Sequence, residues 1–326
     1  MDLTLQLLLL GNAVLALGSK PDQWQGKYKS AVRHLQESSV LPASHETSIP
    51  MVMMLMNKTE LVFGGDKVEL GFFPMQVFIT YKKTSGGYFQ CGGSLISTTH
   101  ALTAAHCTIE MGTPVRIMVG SVKIRDKAAS SQWRDIHDVY NHPGYDKPKK
   151  INDISVVEFN PPVTLGRDVQ LTKIVKNDED LIKHRQWYQK MAPEHSQVCA
   201  GTKKKGTGAG DSGGPIQVSK NGKLIQVGLS SYGAAKHSIA QNEQDQYSSV
   251  FTRVSKYCDF IEEVTDGAAK YWFKTRRSDD DNSGHVTIHV VYSSPLYQMG
   301  CTSLRCSQAG CVPERARVPP SLHSHL

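Results

Sequence analysis

One serine stands in a setting that could support nucleophilic chemistry, the glycine-rich run GTGAGDSGGP over residues 206–215. An unassisted serine is a weak nucleophile, and it needs a neighbouring base to remove its proton. Attack on a carbonyl group also creates an oxyanion that requires N–H donors, and glycine lets the backbone turn without a Cβ clash. The backbone amides of Gly210 and Ser212 are the candidate donors. Ordinary turns use the same residue types, so this run alone does not establish catalysis.

Two further motifs could supply the base and the carboxylate that orients it. His106 lies in the run TAAHC, and Asp153 lies in the run NDI. Taken alone, each residue has a simpler explanation, a buried core histidine and an aspartate at the start of a strand. The order His106, Asp153, Ser212 is that of a histidine base, an orienting aspartate and a serine nucleophile. The three motifs together therefore favour a catalytic triad.

TAAHC, NDI and GDSGGP, in this order, resemble the motifs of the chymotrypsin/trypsin-like serine proteases, peptidase family S1. The resemblance extends from about Val62 to about Val264. It implies an all-β fold of two six-stranded antiparallel β-barrels with a short C-terminal helix. It also implies serine endopeptidase activity without a cofactor or a metal. The expected partners are protein or peptide substrates and protein inhibitors of serine proteases, and nucleic acid is not among them.

The resemblance also implies a disulfide and an activation switch. Cys91 and Cys107 are expected to form a disulfide, and two buried free thiols are the alternative. The freed amine of Val62 is expected to turn inward after cleavage and pair with Asp211, which shapes the oxyanion hole. Leu61 precedes the cleavage point, where the family usually has Arg or Lys. Leu61 therefore argues against activation by a trypsin-like enzyme. The alternatives are that a protease that prefers leucine activates the chain, or that the chain is not activated.

The substrate-binding residues that the resemblance implies are Gly206, Ser231, Tyr232, Gly233 and Ser249. Gly206 stands where trypsin-like members carry an aspartate at the floor of the specificity pocket. An uncharged floor predicts an apolar or small side chain at P1, the substrate residue before the cleaved bond, rather than Arg or Lys. The segment 231–233 is expected to pair with the substrate backbone as an added strand. Glu243 and Asp245 could reach the pocket mouth, which leaves the substrate preference open.

The interval 154–211 is short for the structure that the resemblance requires there. Strands average about 5–6 residues with loops of comparable length, and the charged segment 175–191 is predicted to be helix or loop. A hairpin of the second barrel is therefore predicted to be missing, in a shortened family member or in a gene model that lacks an exon. Losing these strands would expose unpaired edges. This favours an alternative function, an inactive secreted homologue that binds or regulates, although the complete triad argues against it.

Length and composition set wider limits. A chain of 326 residues can form one large domain or two small ones. Its net charge of +7 and pI near 8.9 are typical of many secreted proteins and do not indicate a particular binding partner. The seven cysteines are an odd number, so at least one thiol is unpaired or pairs with another chain. The apolar run 3–18 predicts a signal peptide and an extracellular protein without a membrane attachment; as an anchor it is shorter than the roughly 20 residues of a span.

The predicted organisation is a signal peptide at 1–18, a propeptide at 19–61, a peptidase domain at 62–265 and a C-terminal extension at 266–326. The extension is expected to be disordered, apart from residues 285–292, which alternate like one isolated strand. Three regularly spaced cysteines in it are interpreted as partners for an intermolecular disulfide or, with less support, as metal ligands: Cys301, Cys306 and Cys311. Cys199 and Cys258 have no obvious partner and are predicted to be buried free thiols.

Overall fold

The structure is a computed structural model. It describes residues 62–123, 128–182, 196–220, 222–269, 271, 286–292, 300–307 and 310–314. The predicted signal peptide, the predicted propeptide and residues 183–191 of the charged segment lie outside these ranges. Among the described residues, no helix is both long enough and apolar enough to cross a membrane.

The first half of the molecule is a closed antiparallel barrel, preceded by two short strands, β1 (Val62–Phe63) and β2 (Asp66–Lys67). Its strand order is β3-β4-β5-β8-β7-β6. The barrel elements, with the short helix α1 that follows β5, are β3 (Gln76–Lys83), β4 (Tyr88–Leu95), β5 (His100–Thr103), α1 (Ala105–Thr108), β6 (Met111–Val119), β7 (Gln132–Asn141) and β8 (Ser155–Asn160). Alternation along β3 directs Val77, Ile79 and Tyr81 into the barrel core, where they are buried with Ile117 and Phe159.

The second half contains an antiparallel sheet. Its elements up to residue 264 are α2 (Glu179–Ile182), β9 (Gln197–Ala200), β10 (Gly206–Thr207), β11 (Pro215–Lys220), β12 (Lys223–Tyr232), α3 (His237–Asn242), β13 (Ser249–Arg253), a 3₁₀ turn (Val254–Tyr257) and α4 (Cys258–Val264). β11, β12, β13 and β9 are neighbours in that order. Their inward side chains form a separate core that includes Val198, Ile216, Ile225 and Phe251.

The C-terminal extension forms three further strands: β14 (Val286–Tyr292), β15 (Gly300–Ser307) and β16 (Gly310–Glu314). β14 pairs antiparallel with β11, so that Ile216 lies opposite Val290. β15 pairs with both β14 and β2. The described parts of this segment therefore differ from the expected disorder, and the strand at 286–292 is not isolated. An unpaired β11 edge would present a row of unsatisfied backbone groups, and β14 supplies their partners.

The predicted fold class is confirmed as mostly β, with one closed six-stranded barrel and a short C-terminal helix. The second sheet is open and has eight strands, instead of a closed six-stranded barrel. A third core cluster joins the halves, because Ile261 of α4 packs with Leu102 and Val156 of the barrel and with Leu229 of β12. This junction fixes the relative position of the residues that come from the two halves.

Candidate active site

Strand pairing inside the barrel brings His106 and Asp153 together. β5 pairs with β8, so that Thr103 lies opposite Ser155. His106 is in the short helix that follows β5, and Asp153 lies just before β8. The Cys91–Cys107 disulfide that the resemblance implied is present, and it ties this helix to β4 with Cα atoms 6.3 Å apart. His106 is therefore held on its N-terminal side by the pairing of β5 with β8 and on its C-terminal side by the disulfide at Cys107.

The Asp153 carboxylate is fully buried and has a partner on each oxygen. Oδ1 accepts the backbone N–H of His106 at 2.8 Å, and Oδ2 lies 2.7 Å from Nδ1 of the same residue. A carboxylate only accepts hydrogen bonds, so Nδ1 carries the proton and Nε2 keeps its lone pair. Ser231 donates its hydroxyl hydrogen to Oδ2 at 2.5 Å. This geometry fixes the tautomer in which Nε2 can act as a base.

The backbone around Ser212 lies between the two halves. The N–H of Gly92 donates to the Ser212 carbonyl at 2.8 Å, and the N–H of Gly213 donates to the Ser230 carbonyl at 2.8 Å. Gly213 has a φ of +76°, and a β-carbon there would lie 2.2 Å from the Thr103 hydroxyl. Only glycine fits this position, because it meets both the left-handed φ and the close approach to β5. The loop is thereby seated against the strand that leads to His106.

The two predicted oxyanion donors are free to bind a ligand. Within the described residues, neither the Gly210 N–H nor the Ser212 N–H donates a hydrogen bond to another group. Gly210 has a φ of +99°, a conformation that glycine adopts at little cost. Unpaired backbone N–H groups of this kind are what a tetrahedral oxyanion requires as hydrogen-bond donors.

Ser212 and His106 are not yet hydrogen-bonded. Among the described residues the Ser212 hydroxyl has no hydrogen-bond partner, and His106 Nε2 lies 3.9 Å from Sγ of Cys107. Catalytic hydrogen bonds are often long without substrate and tighten in the complex. The His106 side chain is 17 % exposed, so it is partly accessible from solvent.

The residues predicted to bind substrate fall into two groups. Ser231 is buried and its hydroxyl faces Asp153, so this side chain belongs to the His106–Asp153 pair and not to a pocket wall. Gly206, in β10, and Ser249, at the start of β13, instead lie around a common space. A β-carbon on Gly233 would lie 3.5 Å from the Ser249 hydroxyl, which places Gly233 on the same space. Tyr232 ends β12, directly before it.

The sequence analysis missed Gln244, a buried residue in the space between Gly206 and Ser249. Its side chain is 1 % exposed and is hydrogen-bonded to Ser249. It stands between Glu243 and Asp245, the two residues that were expected to reach the pocket mouth. No local pattern in the polar loop 234–248 distinguishes it, because its burial depends on the path of the helix α3 and β13.

Among the described residues, the buried carboxyl of Asp211 has one hydrogen-bond partner. Its Oδ2 accepts the N–H of Gly208 at 2.7 Å, while Oδ1 has no partner among the described residues. Burial therefore raises the pKa of Asp211 well above its ordinary value of 3.8. β1 pairs with β10, so Val62 lies opposite Thr207, four residues before this carboxyl. The site is suited to a cation that arrives from the direction of Val62.

Cys199 and Cys258 are buried free thiols, as predicted. Burial raises the pKa of each thiol to about 11. Because the thiolate is the reactive form, neither cysteine is a candidate nucleophile at neutral pH.

Comparison with known proteins gives a consistent result. A model of the trypsin family matches residues 62–186 and again residues 172–261. Chymotrypsin-C of Mus musculus is 27% identical over 251 residues, which cover 64% of this chain and 90% of that protein. The CLIP domain-containing serine protease B4 of Anopheles gambiae is 26% identical over 258 residues, or 63% of this chain and 70% of that protein.

Phenoloxidase-activating factor 3 of Holotrichia diomphalia is 28% identical over 257 residues, which cover 62% of this chain and 72% of that protein. The family model matches residues 62–261 in two overlapping segments. Their overlap falls inside the interval 154–211, where a hairpin was predicted to be missing.

Proposed function

This chain belongs to the trypsin family of serine endopeptidases, and from that premise we propose that Ser212, His106 and Asp153 are its catalytic triad. The observation that carries the proposal is the 2.7 Å contact between His106 Nδ1 and the buried Asp153 carboxylate. That contact leaves Nε2 as the basic atom, on a histidine held beside the loop that carries Ser212. Its substrates are proteins or peptides.

In the proposed reaction, the Ser212 oxygen bonds to the carbonyl carbon of the substrate while His106 Nε2 takes the hydroxyl proton. The negative oxygen that results accepts hydrogen bonds from the Gly210 and Ser212 amides. His106 then gives its proton to the leaving amine as the C–N bond breaks. Water repeats the sequence on the acyl-enzyme and restores the serine.

We further propose that the chain is made as a precursor that is cleaved between Leu61 and Val62. The support is the buried Asp211 carboxyl, one oxygen of which lacks a partner among the described residues. The new amine of Val62 would pair with it and fix the adjacent Gly210 and Ser212 amides. A buried ion pair of this kind strongly favours one conformation, because breaking the pair would leave a buried charge without a partner and would cost free energy.

Secretion behind the signal peptide 1–18 is also part of the proposal. The Cys91–Cys107 disulfide supports it, because disulfides persist in oxidising compartments. Protein inhibitors of serine proteases are the further partners we propose. The uncharged Gly206 supports a small or apolar P1 side chain over Arg or Lys.

An inactive binding homologue was the alternative that the short interval suggested. Two observations weigh against it. The β11 edge that would have been exposed is paired with β14. The His106–Asp153 pair and the unpaired Gly210 amide keep the geometry that catalysis requires.

The test is labelling with a fluorophosphonate probe, which reacts with activated serines. Secreted chain is compared before and after cleavage at Val62, with an enteropeptidase recognition sequence placed directly before that residue. Labelling is expected only after cleavage, and it should be lost in Ser212→Ala. Ser238→Ala is the matched control, because Ser238 is exposed on α3. If the cleaved chain is not labelled, the proposal of an active protease is wrong and the chain is better explained as an inactive homologue.

A further inference from the structure

Gln244 occupies the space that Gly206, Ser249 and Gly233 surround. It lies after α3 in the loop that leads to β13, and its side chain is 1 % exposed. The residues that flank it differ, because Glu243 is half-buried and Asp245 is exposed. Of the three consecutive polar residues, only the uncharged one is buried beside the predicted pocket floor.

The carboxamide of Gln244 is almost fully hydrogen-bonded. Nε2 donates to the carbonyl of Thr207 at 2.8 Å and to the carbonyl of Ala240 at 2.7 Å. Oε1 accepts the hydroxyl hydrogen of Ser249 at 2.7 Å. Both N–H donors and one lone pair of the amide oxygen are therefore used. A side chain held in this way is fixed in one orientation.

Gln244 is also in direct contact with the floor itself. A β-carbon on Gly206 would lie 1.7 Å from Oε1 and 2.2 Å from Cδ of Gln244. A β-carbon on Gly201 would lie 3.0 Å from the same amide oxygen. The glycine at the predicted floor is thus covered by a carboxamide, and the depth that a glycine would otherwise leave open is filled.

We propose that Gln244 forms the floor of the P1 pocket and restricts Ser212 to substrates with a small, uncharged P1 side chain such as alanine. The proposal rests on the proposed function. A large apolar P1 side chain could enter only by displacing the amide. That displacement would leave the carbonyls of Thr207 and Ala240 unpaired in a site that excludes water. Neither Gly206 nor Gln244 carries a charge that could pair with an Arg or Lys side chain at P1.

The experiment compares two tetrapeptide p-nitroanilides that differ only in alanine or phenylalanine at P1. It uses cleaved full-length chain, with the active fraction of each preparation measured by fluorophosphonate titration. The wild-type enzyme, in which Gln244 fills the pocket, should cleave the alanine substrate with the higher kcat/KM. Gln244→Ala should raise the ratio of kcat/KM for phenylalanine over alanine by about tenfold to a hundredfold, the scale on which pocket volume discriminates.

Two controls separate pocket filling from loop disruption. Gln244→Met has a similar volume and is expected to keep the preference for alanine. Gln246→Ala removes an exposed glutamine from the same loop and should leave the ratio as in wild type. A wild-type preference for phenylalanine would overturn the proposal, as would a Gln244→Ala ratio equal to that of wild type in probe-reactive enzyme.

Failure of the proposed function gives a different result, because then no preparation reacts with the probe. Calorimetric binding to the Ser212→Ala chain tests the floor in that case. The ligand is an acetylated tetrapeptide acid that ends in phenylalanine. Adding Gln244→Ala should tighten its binding by about tenfold, and unchanged binding would overturn the proposal. If Gln244→Ala does not fold, Gln244→Asn shortens the floor by one methylene group and is measured in its place.

Discussion

The barrel takes all six of its strands from residues 76–160, whereas the sheet of the second half takes strands from residues 66–67, 197–253 and 286–314. Neighbouring barrel strands are mostly close in sequence. In the second half, β11 pairs on one side with the adjacent β12 and on the other with β14, some seventy residues further along the chain. Pairing of that kind requires a long loop to close, and the entropy cost of closure must be met before the contacts between the strands stabilise the sheet.

The proposed active site combines both modes of assembly. His106 and Asp153 come from the barrel, where the pairing of β5 with β8 brings them together. Ser212 and the P1 pocket come from the second half, whose strands β14, β15 and β16 lie far beyond Ser212 in the sequence. We infer that the second half depends on the C-terminal extension, because β14 pairs with the edge of β11. The second half should therefore be the more sensitive of the two to changes far from the site.

The largest effect is expected from deleting the C-terminal strands. Ending the chain after Tyr271 removes β14, β15 and β16 and leaves the edge of β11 unpaired. We expect loss of the cooperative unfolding of the second half, aggregation through the exposed edge, and loss of probe labelling at Ser212. Differential scanning calorimetry and limited proteolysis would measure this, with early cleavage between residues 197 and 253.

The matched control ends the chain after Glu314, the last residue of β16, and should behave as the full chain does. A chain that ends at Tyr271 but keeps the labelling and the thermal transition of the full chain would mean that the extension is dispensable. The two halves would then differ in strand order but not in dependence on the extension.

A smaller effect is expected when one partner of an ion pair is removed, and the loss in the free energy of unfolding should differ between the two halves. Arg253 on β13 is 9 % exposed and Asp178 is 1 % exposed, with the Arg253 Nε 3.0 Å from the Asp178 Oδ1. Asp178→Ala would leave a buried guanidinium without its partner, which costs about 3–5 kcal/mol. In the barrel, Arg116 and Asp135 form an exposed pair, and Asp135→Ala should cost about 0–1 kcal/mol.

Urea unfolding of both variants, in the Ser212→Ala background that avoids self-digestion, measures the difference. The Asp178 pair also connects the segment after the first half to β13, so its loss should appear in the second-half transition. Equal destabilisation by the two substitutions would contradict the account of Arg253 as a buried charge.

The barrel was predictable in detail because its strands carry local patterns. β3 spans Gln76–Lys83, and its alternate residues Val77, Ile79 and Tyr81 are buried in the barrel core. The three motifs located His106, Asp153 and Ser212, since spacing within each motif determines its local geometry. The short C-terminal helix that the resemblance implied is found as α4, which a 3₁₀ turn precedes.

The rest depended on tertiary contacts that leave no local trace. Residues 286–292 alternate as a strand does, but nothing in that pattern identifies β11 as the partner. Gln244 differs from Glu243 and Asp245 only in charge, and its burial follows from the positions of Gly206 and Ser249. The short interval 154–211 predicted that strands of the second half would be missing, and it carried no information about which strand pairs with β11.

The last comparison concerns two buried aspartates, one from each half. Asp153 has partners on both oxygens, whereas Asp211 has a partner on Oδ2 and none among the described residues on Oδ1. Burial raises the pKa of Asp211, so above its ordinary value of 3.8 the unfolded chain binds fewer protons than the folded precursor. The free energy of unfolding should then fall as pH rises, by up to about 1.4 kcal/mol per unit, until the pKa of the folded state is reached.

Asp211→Asn cannot ionise and should lack this slope, so in the uncleaved chain it should be more stable than wild type at pH 7. Urea unfolding between pH 4 and pH 7 measures the gap, and Asp135→Asn, at an exposed carboxyl of the barrel, is the control that should run parallel to wild type. Cleavage before Val62 should reverse the order of stability, because the new amine would pair with the carboxylate and not with the amide. Parallel curves for Asp211→Asn and wild type would mean that Asp211 already has a cationic partner in the precursor. In that case the second half would not depend on cleavage for the order of its oxyanion loop.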